Sequence, residues 1–440
     1  MATAVREIWP VSIDSSAWKA LTASGLGWMF DGYENYALIL AMAPAVRQLL
    51  PREAANVTFY MGGLLTATLL GWAVGGIVAG VLTDYVGRRR MLMLSICWYA
   101  IFAGLTALSW DYWSFFACRL LTGLGLGAEW GPGAAIVAEF WPPSSRGRAA
   151  GVLHSSFGIG IFLASGIWEL LSAQGPSSWR YMFAIGVLPA FVLLYARRGV
   201  QEPALWLTSN RNRRQARHRL EIGNSSELDE ELNQFTMTRI LSDPGLRRRV
   251  GLLLLMSISS VVGWWSGSTW IPQYAAEWTA KTGQAVLLSP SLTASLFGVG
   301  AIAGYIALGF LADMVGRKPV IWLYYLGALI LSLSLFLLAN TRSALLILAA
   351  ANGFFASGQF SWMTIYLPEL FPTRVRGSAM SLVFDTSRGI AALGPLAAGW
   401  LISSSGGIGR AAAIMSLVYL IGMAVTPFAG PETKGEPLPS

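Results

Sequence analysis

Long apolar runs return at short intervals from about residue 20 to about residue 429, and few folds tolerate that pattern. Each run is close to the ~20 residues a helix needs to cross a bilayer core of ~30 Å. In that medium every backbone polar group must be satisfied inside the protein, which leaves helices as the natural spanning element. Twelve spans are predicted, at about 20–46, 59–83, 91–109, 111–139, 147–172 and 178–197, then 249–273, 289–312, 319–339, 344–367, 377–403 and 409–429. Only 12% of the 440 residues are charged, against about a quarter in an average soluble chain. The expectation is an all-α, multi-pass membrane protein lying in the bilayer.

The net charge of +8 orients the chain rather than pointing to nucleic acid. With the amino terminus in the cytoplasm, 23 of the 31 Lys and Arg fall in cytoplasmic segments, six in outer loops and two inside spans. That asymmetry is the positive-inside rule. It places both termini in the cytoplasm of a bacterial-type inner (plasma) membrane. The segment MATAVREIWPVSIDSSAWK has no apolar signal-peptide core, so the first span drives insertion. Cys97 and Cys118 fall inside spans and are expected to be buried packing residues.

The two halves repeat. GVLTDYVGRRR at 80–90 returns as GFLADMVGRKP at 309–319, and EFWPPSSRGRA at 139–149 as ELFPTRVRGSA at 369–379. Glu202 and Glu432 close each half at the same spacing. Between the halves lies a polar segment holding RNRRQARHR and NSSELDEELNQ. The organisation is therefore a six-helix bundle over 1–197, a cytoplasmic linker over 198–248 and a second, pseudo-symmetric six-helix bundle over 249–440. The linker's DEELNQFTMTRI portion is a candidate surface helix, and a regulatory docking role for the linker stays open. Parallel repeats of this kind carry a substrate site between the halves.

The loop motif G-x-L-x-D-x-x-G-R-R, with Gly80, Leu82, Asp84, Gly87, Arg88 and Arg89, resembles the signature loop of the major facilitator superfamily. Arg119-LLTGLGLG, the Glu139…Arg146-Gly147 and Glu369…Arg376-Gly377 loops and PETKG at 431–435 resemble its branch of sugar porters and organic-acid/proton symporters. The resemblance covers nearly the whole chain. It implies transport without cofactor or metal, and a cavity lined by spans one, four, five, seven, eight, ten and eleven.

Physically, the loop glycines allow sharp turns. Asp84 and Asp313 are placed to cap neighbouring helix N-termini, where negative charge is favoured. Arg88, Arg89, Arg317 and Lys318 are expected at the cytoplasmic surface. Glu139 with Arg146, and Glu369 with Arg376, complete a latch between the halves.

An ionisable group inside a span costs about 2.5–3.5 kcal/mol on insertion scales, so each needs a partner or a task. Asp31 and Glu34 share a helix face at i and i+3, as do Asp385 and Arg388. By resemblance, Glu34 is the proton-carrying carboxylate and Arg119 its partner, with Glu129 in the polar network around them. Asp31-Gly-Tyr-Glu34 partly matches the D-G-x-D pattern of carboxylate symporters. Arg388, in FDTSRGIAALGP, is the expected substrate anchor, since guanidinium binds carboxylate bidentately. Asp385 is its resting partner. His154, Gln359, Trp264 and Trp270 are further candidates for the cavity wall, while Trp28 and Trp72 are assigned to interfaces or helix contacts.

The chain lacks a Walker lysine motif, a metal-ligand cluster and a Ser/His/Asp set, so neither ATP coupling nor enzymatic activity is expected. The expectation is a monomeric symporter driven by the proton gradient, with a small organic anion and protons as partners. An uncoupled facilitator or exchanger of sugars or other metabolites, and a ligand-binding sensor, are the alternatives.

Overall fold

The computed structural model describes residues 13–439 apart from 52–56, 192–198, 225, 283–289, 395–400 and 403. The expected cytoplasmic amino-terminal tail up to residue 12, and parts of spans six and eleven, lie outside the described residues. Spans one to five are single helices: α1 Ser15–Leu49, α2 Val57–Val86, α3 Arg88–Thr106, α4 Tyr112–Phe140 and α5 Arg146–Leu171. Span six opens with α6, Ser178–Ile185. The linker forms α7 Ala204–Glu221, α8 Glu227–Asn233 and α9 Thr236–Ser242.

The second half is more broken than its sequence suggests. Span seven is split into α10 Pro244–Ser268 and α11 Ile271–Thr282, and Pro272 explains the break because it has no N–H to continue the ladder. Spans eight and nine are the continuous α12 Pro290–Met314 and α13 Arg317–Leu338. Span ten divides into α14 Arg342–Asn352 and α15 Ser361–Leu370, separated by a π turn at Gly353–Ser357. In span eleven the helix α16, Arg376–Ala391, ends just past Arg388. Span twelve is α17 Ile408–Ser416 followed by α18 Tyr419–Val425.

Hard turns join α2 to α3 and α12 to α13. They use Gly87 and Gly316, whose φ values of +120° and +132° lie where a side chain is strained. The helices that follow are capped by the two glutamates noted for their spacing. Glu202 accepts from the backbone N of Arg89 (3.2 Å) and Arg90 (3.4 Å), and Glu432 from that of Arg317 (2.8 Å) and Lys318 (3.1 Å). Carboxylate at a helix N-terminus offsets the helix dipole and satisfies orphan donors.

Lipid supplies little hydrophobic drive between helices, so close contact at small residues must hold them together. A Cβ on Gly71 would lie 2.2 Å from the Leu120 carbonyl oxygen, and one on Gly75 2.0 Å from that of Leu124. The same contacts recur one repeat later, Gly300 against Ala350 and Gly304 against Phe354, both at 1.9 Å. The duplication thus extends to backbone packing of α2 on α4 and of α12 on α14. The two halves meet along α5–α12 and α2–α16.

The linker is a built cap, not a lone surface helix. The expected helix is two helices, α8 and α9, with a turn at Gln234–Phe235. Ser226 and Asp229 form a capping box, and the bound Arg219 guanidinium holds the Asp229 carboxyl well below the usual carboxylate range. The cap is therefore formed above that lowered value and lost only on strong acidification. Trp206 Nε1 and Arg213 both donate to the Asp84 carbonyl, at 3.2 and 2.9 Å, while Arg213 also reaches the Arg374 carbonyl at 3.3 Å. Helix α7 thereby touches the end of α2 in the first half and a loop of the second.

Candidate functional site

A cavity lies between the halves at mid-depth. Its walls are Trp28, Trp72 and Phe157 from the first half, and Trp264, Trp265, Tyr305, Phe360 and Phe384 from the second, with Val261 and Arg388. It admits the centre of a water molecule over only about 20 Å³. That is room for about one water. A ligand of any size needs these aromatic rings to move apart.

Arg388 is the one charged group on this wall among the described residues. Its Nη1 donates to Asp385 Oδ1 at 2.8 Å, and its guanidinium lies 4.0 Å from the Trp72 ring centre and 3.6 Å from that of Phe384. Two aromatic faces and a carboxylate compensate a buried cation. Asp385 reaches across the interface to α2, where a Cβ on Gly76 would lie 2.0 Å from its carboxyl carbon. Only glycine leaves space there.

The carboxylates of the first half fall into two sets. Glu34 and Arg119 pair at 2.9 Å, both fully buried. Arg119 also donates to Thr106 Oγ1 (2.8 Å) and Thr122 Oγ1 (3.0 Å) and stacks on Phe183. This pair is enclosed by α1, α3, α4 and α6 of one bundle. Asp31 and Glu129 are different. Both are buried, and among the described residues neither oxygen of Asp31 nor Oε2 of Glu129 meets a hydrogen-bond partner. Asp31 feels the charges of Glu129, Arg388 and Glu34. A buried acid without a donor is costly unless it is neutral or acquires a partner.

Below the cavity, toward the arginine-rich end, His154 of α5 and Thr364 of α15 are hydrogen-bonded across the interface at 2.6 Å. The His154 ring also packs on Trp28 and Tyr305. On the far side, Thr66 Oγ1 of α2 donates to the Ala392 carbonyl at 3.0 Å, a carbonyl freed by the end of α16.

The arginine-rich end is shut by two mirrored clusters. Asp84 accepts from Gly377 N (3.1 Å), Ser378 N (2.9 Å) and Ser378 Oγ (2.7 Å), while Asp313 accepts from Gly147 N (3.1 Å) and Arg148 N (2.9 Å). Each aspartate caps a helix of the other half. Arg88 binds Asp84 and Glu139 (2.9 and 3.3 Å), and Arg317 binds Asp313 and Glu369 (both 2.8 Å). The glutamates then pair crosswise, Glu139 with Arg376 at 2.8 Å and Glu369 with Arg146 at 3.3 Å.

Several sequence-based placements change. Glu139 meets Arg376 rather than Arg146, and Glu369 meets Arg146 as well as Arg317. The reason is that Arg146 and Arg376 spend Nε on Ala138 and Pro368 carbonyls near their own loops, leaving the other end of each fork to reach across. Arg88 and Arg317 are buried, not at the surface, because each has carboxylate and carbonyl acceptors. Arg89 stays partly exposed beside the latch. Cys97 is exposed on a helix face rather than buried. Trp264 lines the cavity and donates to Ser357 in the π turn at 2.9 Å. Gln359 accepts from Ser260 at 2.6 Å inside the second bundle, and Trp270 lies apart in a pocket beside Ala411 and Met415. Trp28 and Trp72 are cavity walls, not interface residues. Trp28 is three residues before Asp31, a spacing that already put it on the polar face of α1.

Thr364→Val removes the bond to His154 while keeping the side chain's shape. One hydrogen bond is worth about 1 kcal/mol, so the variant is expected to shift the equilibrium roughly fivefold toward opening at the arginine-rich end. Hydrogen exchange at 373–379 measures it, and Thr364→Ser restores wild-type protection.

The family model described as sugar (and other) transporter matches residues 30–440. A metabolite transport protein of Haemophilus influenzae is 29% identical over 97% of this chain and 99% of its own. The sialic acid transporter of Escherichia coli is 24% identical, covering 95% and 94%. The cis,cis-muconate transport protein of Acinetobacter baylyi is 27% identical, covering 93% of each. Among solved structures, a proton:xylose symporter bound to 6-bromo-6-deoxy-D-glucose superposes with a TM-score of 0.77 at 21% identity, over 96% of this chain and 98% of that one.

Proposed function

The chain belongs to the sugar (and other) transporter family of the major facilitator superfamily, and from that premise we propose that it carries a small organic anion inward together with protons. It is a membrane transporter of small metabolites, not an enzyme. The observation that carries the finer reading is Arg388, a single guanidinium in a wall of eight aromatic rings. Among the described residues its one hydrogen bond goes to Asp385, and bidentate binding of a carboxylate uses two N–H groups of the fork. A sugar or sialate brings many hydroxyls that each need a partner. Among the described residues this wall offers few: Gln359 is bonded to Ser260, and the indole N–H groups of Trp28 and Trp72 have no partner. Flat, conjugated carboxylates suit it best, in line with the muconate relative.

The arginine-rich end is assigned to the cytoplasm of the inner membrane. In the coupling sequence, Glu34 takes a proton on the outer side and loosens its hold on Arg119. Asp31 relays the change to Arg388, which exchanges Asp385 for the substrate carboxylate. The latch then parts, His154 and Thr364 separate, and substrate leaves inward. Glu34 releases its proton as Arg119 recaptures it. The gating roles of Asp84, Arg88, Arg89, Glu139, Arg146, Asp313, Arg317, Glu369 and Arg376 belong to this reading.

A thermal-shift screen tests the substrate class, since a ligand at a hundred times its Kd adds about 2.7 kcal/mol to the bound fold. Benzoate and cis,cis-muconate are expected to raise Tm, with benzamide, hexoses and sialate inert. Stabilisation by a hexose or sialate with no response to flat acids overturns this assignment.

A further inference from the structure

A second chamber, much larger than the central cavity, lies among the described residues. A space of about 550 Å³ lies at the arginine-rich end, between the linker helices and the loop 372–375 of the second half. That volume is in the range of small-molecule sites. Its polar lining is Thr208, Ser209 and Asn212 of α7 with Glu231, Arg239, Asp243, Thr373 and Arg374, and its apolar lining includes Leu205, Leu232 and Leu246.

Arg374 is the unusual member. Its guanidinium is mostly covered, yet its nearest carboxylate is Glu231 at 3.7 Å, and it donates no hydrogen bond among the described residues. Glu231 is already shared with Arg239, which also faces Asp243 at 3.8 Å. Burial holds the Arg374 guanidinium below its usual range, and the nearby Arg239 and Arg213 cations push the same way against Glu231. On the chamber wall Glu231 and Asp243 balance Arg239 and Arg374 in charge, but neither acid gives Arg374 a hydrogen bond. The internal repeat shows that the latch does not need this residue: Arg374 stands where the mirror loop has Ser144, and that loop forms the same cross-pairing.

We propose that this chamber is a regulatory site for an amphiphilic monocarboxylate, with Arg374 as its anchor. The ligand's carboxylate gives Arg374 the close acceptor that Glu231 at 3.7 Å does not, and its apolar body covers the leucines. Because the chamber's walls come from the linker and from the loop that carries Arg376, an occupant ties the two together and holds this end of the molecule shut. If that end faces the cytoplasm, an accumulating anion slows its own further release.

Hydrogen exchange on the purified full-length protein tests this, with benzoate as probe and inorganic phosphate as control. Benzoate is expected to slow exchange roughly fivefold across 204–242 and 372–375 in wild type and in Arg388→Gln. Arg374→Gln loses the effect, and Arg374→Lys keeps part of it. Thr208→Trp, at an exposed position, fills the chamber and is protected without benzoate. Protection that survives Arg374→Gln, that vanishes in Arg388→Gln, that phosphate reproduces, or that is missing in wild type overturns the proposal. The Arg388→Gln arm also keeps this site's failure separate from failure of the central-site reading.

Discussion

Glu34→Gln is expected to abolish uphill accumulation while leaving exchange of substrate across the membrane intact. In reconstituted vesicles with an acidic exterior, wild type concentrates its anion, and the variant only equilibrates it. Glutamine keeps an acceptor for the Arg119 contact now made at 2.9 Å, but it cannot take or release a proton. Arg119 retains Thr106 and Thr122 as acceptors, which limits the structural damage. Breaking a buried ion pair by deleting one partner's charge nevertheless costs about 3–5 kcal/mol. Counterflow is therefore the control that shows a folded carrier. Loss of counterflow together with accumulation marks Glu34–Arg119 as a structural clasp inside the first bundle. Equal accumulation with and without the gradient in both proteins identifies an uncoupled facilitator.

Arg388→Gln is expected to weaken carboxylate binding by about 2–5 kcal/mol, a rise in Kd of roughly 30-fold or more. Part of that loss reflects Asp385, left buried without its 2.8 Å partner. The double variant Arg388→Gln with Asp385→Asn removes the stranded charge and separates the two effects. If Arg388 holds the substrate, the double variant regains thermal stability and still fails to bind carboxylate. Recovery of both stability and binding reduces Asp385–Arg388 to a self-satisfied pair. Calorimetry with benzoate and with benzamide measures the difference, since an amide of the same shape does not depend on the guanidinium's charge.

The twofold architecture was legible because it is written in the costly residues. Gly87 and Gly316, Asp84 and Asp313, and Glu202 and Glu432 recur at one spacing because each performs the same backbone job in each half. The membrane charges were legible for a similar reason: Glu34, Arg119, Asp385 and Arg388 stand out in apolar runs, and i, i+3 spacing alone pairs the last two. Crosswise pairing of the latch was not legible. Glu139 is seven residues from Arg146 in sequence, and only the tertiary course of the loops brings Arg376 nearer. The cavity wall was half hidden as well. Tryptophan suits an interface, a helix contact and a ligand wall equally, so Trp28 and Trp72 carried no distinguishing mark beyond position on a face. Breaks in spans seven, ten and eleven escaped because a span-length apolar run tolerates a few small and polar residues, such as those at 266–269 and Pro272, without losing its hydrophobic average. Docking of the linker depends on single long side chains, Arg213 above all, which composition presents as ordinary surface charge.

Movement of proton and carboxylate together through one carrier is the core of the proposed coupling. Its most direct test is proton flux: add benzoate, or whichever flat acid stabilises the protein, to lightly buffered proteoliposomes with no imposed gradient, and follow external pH. Benzoic acid itself crosses lipid, so the protein-dependent part is taken against empty vesicles and a permanently charged substrate is preferred. The account predicts alkalinisation of the medium that tracks anion uptake, present in wild type and absent in Glu34→Gln. Anion entry in wild type with no accompanying proton uptake contradicts it.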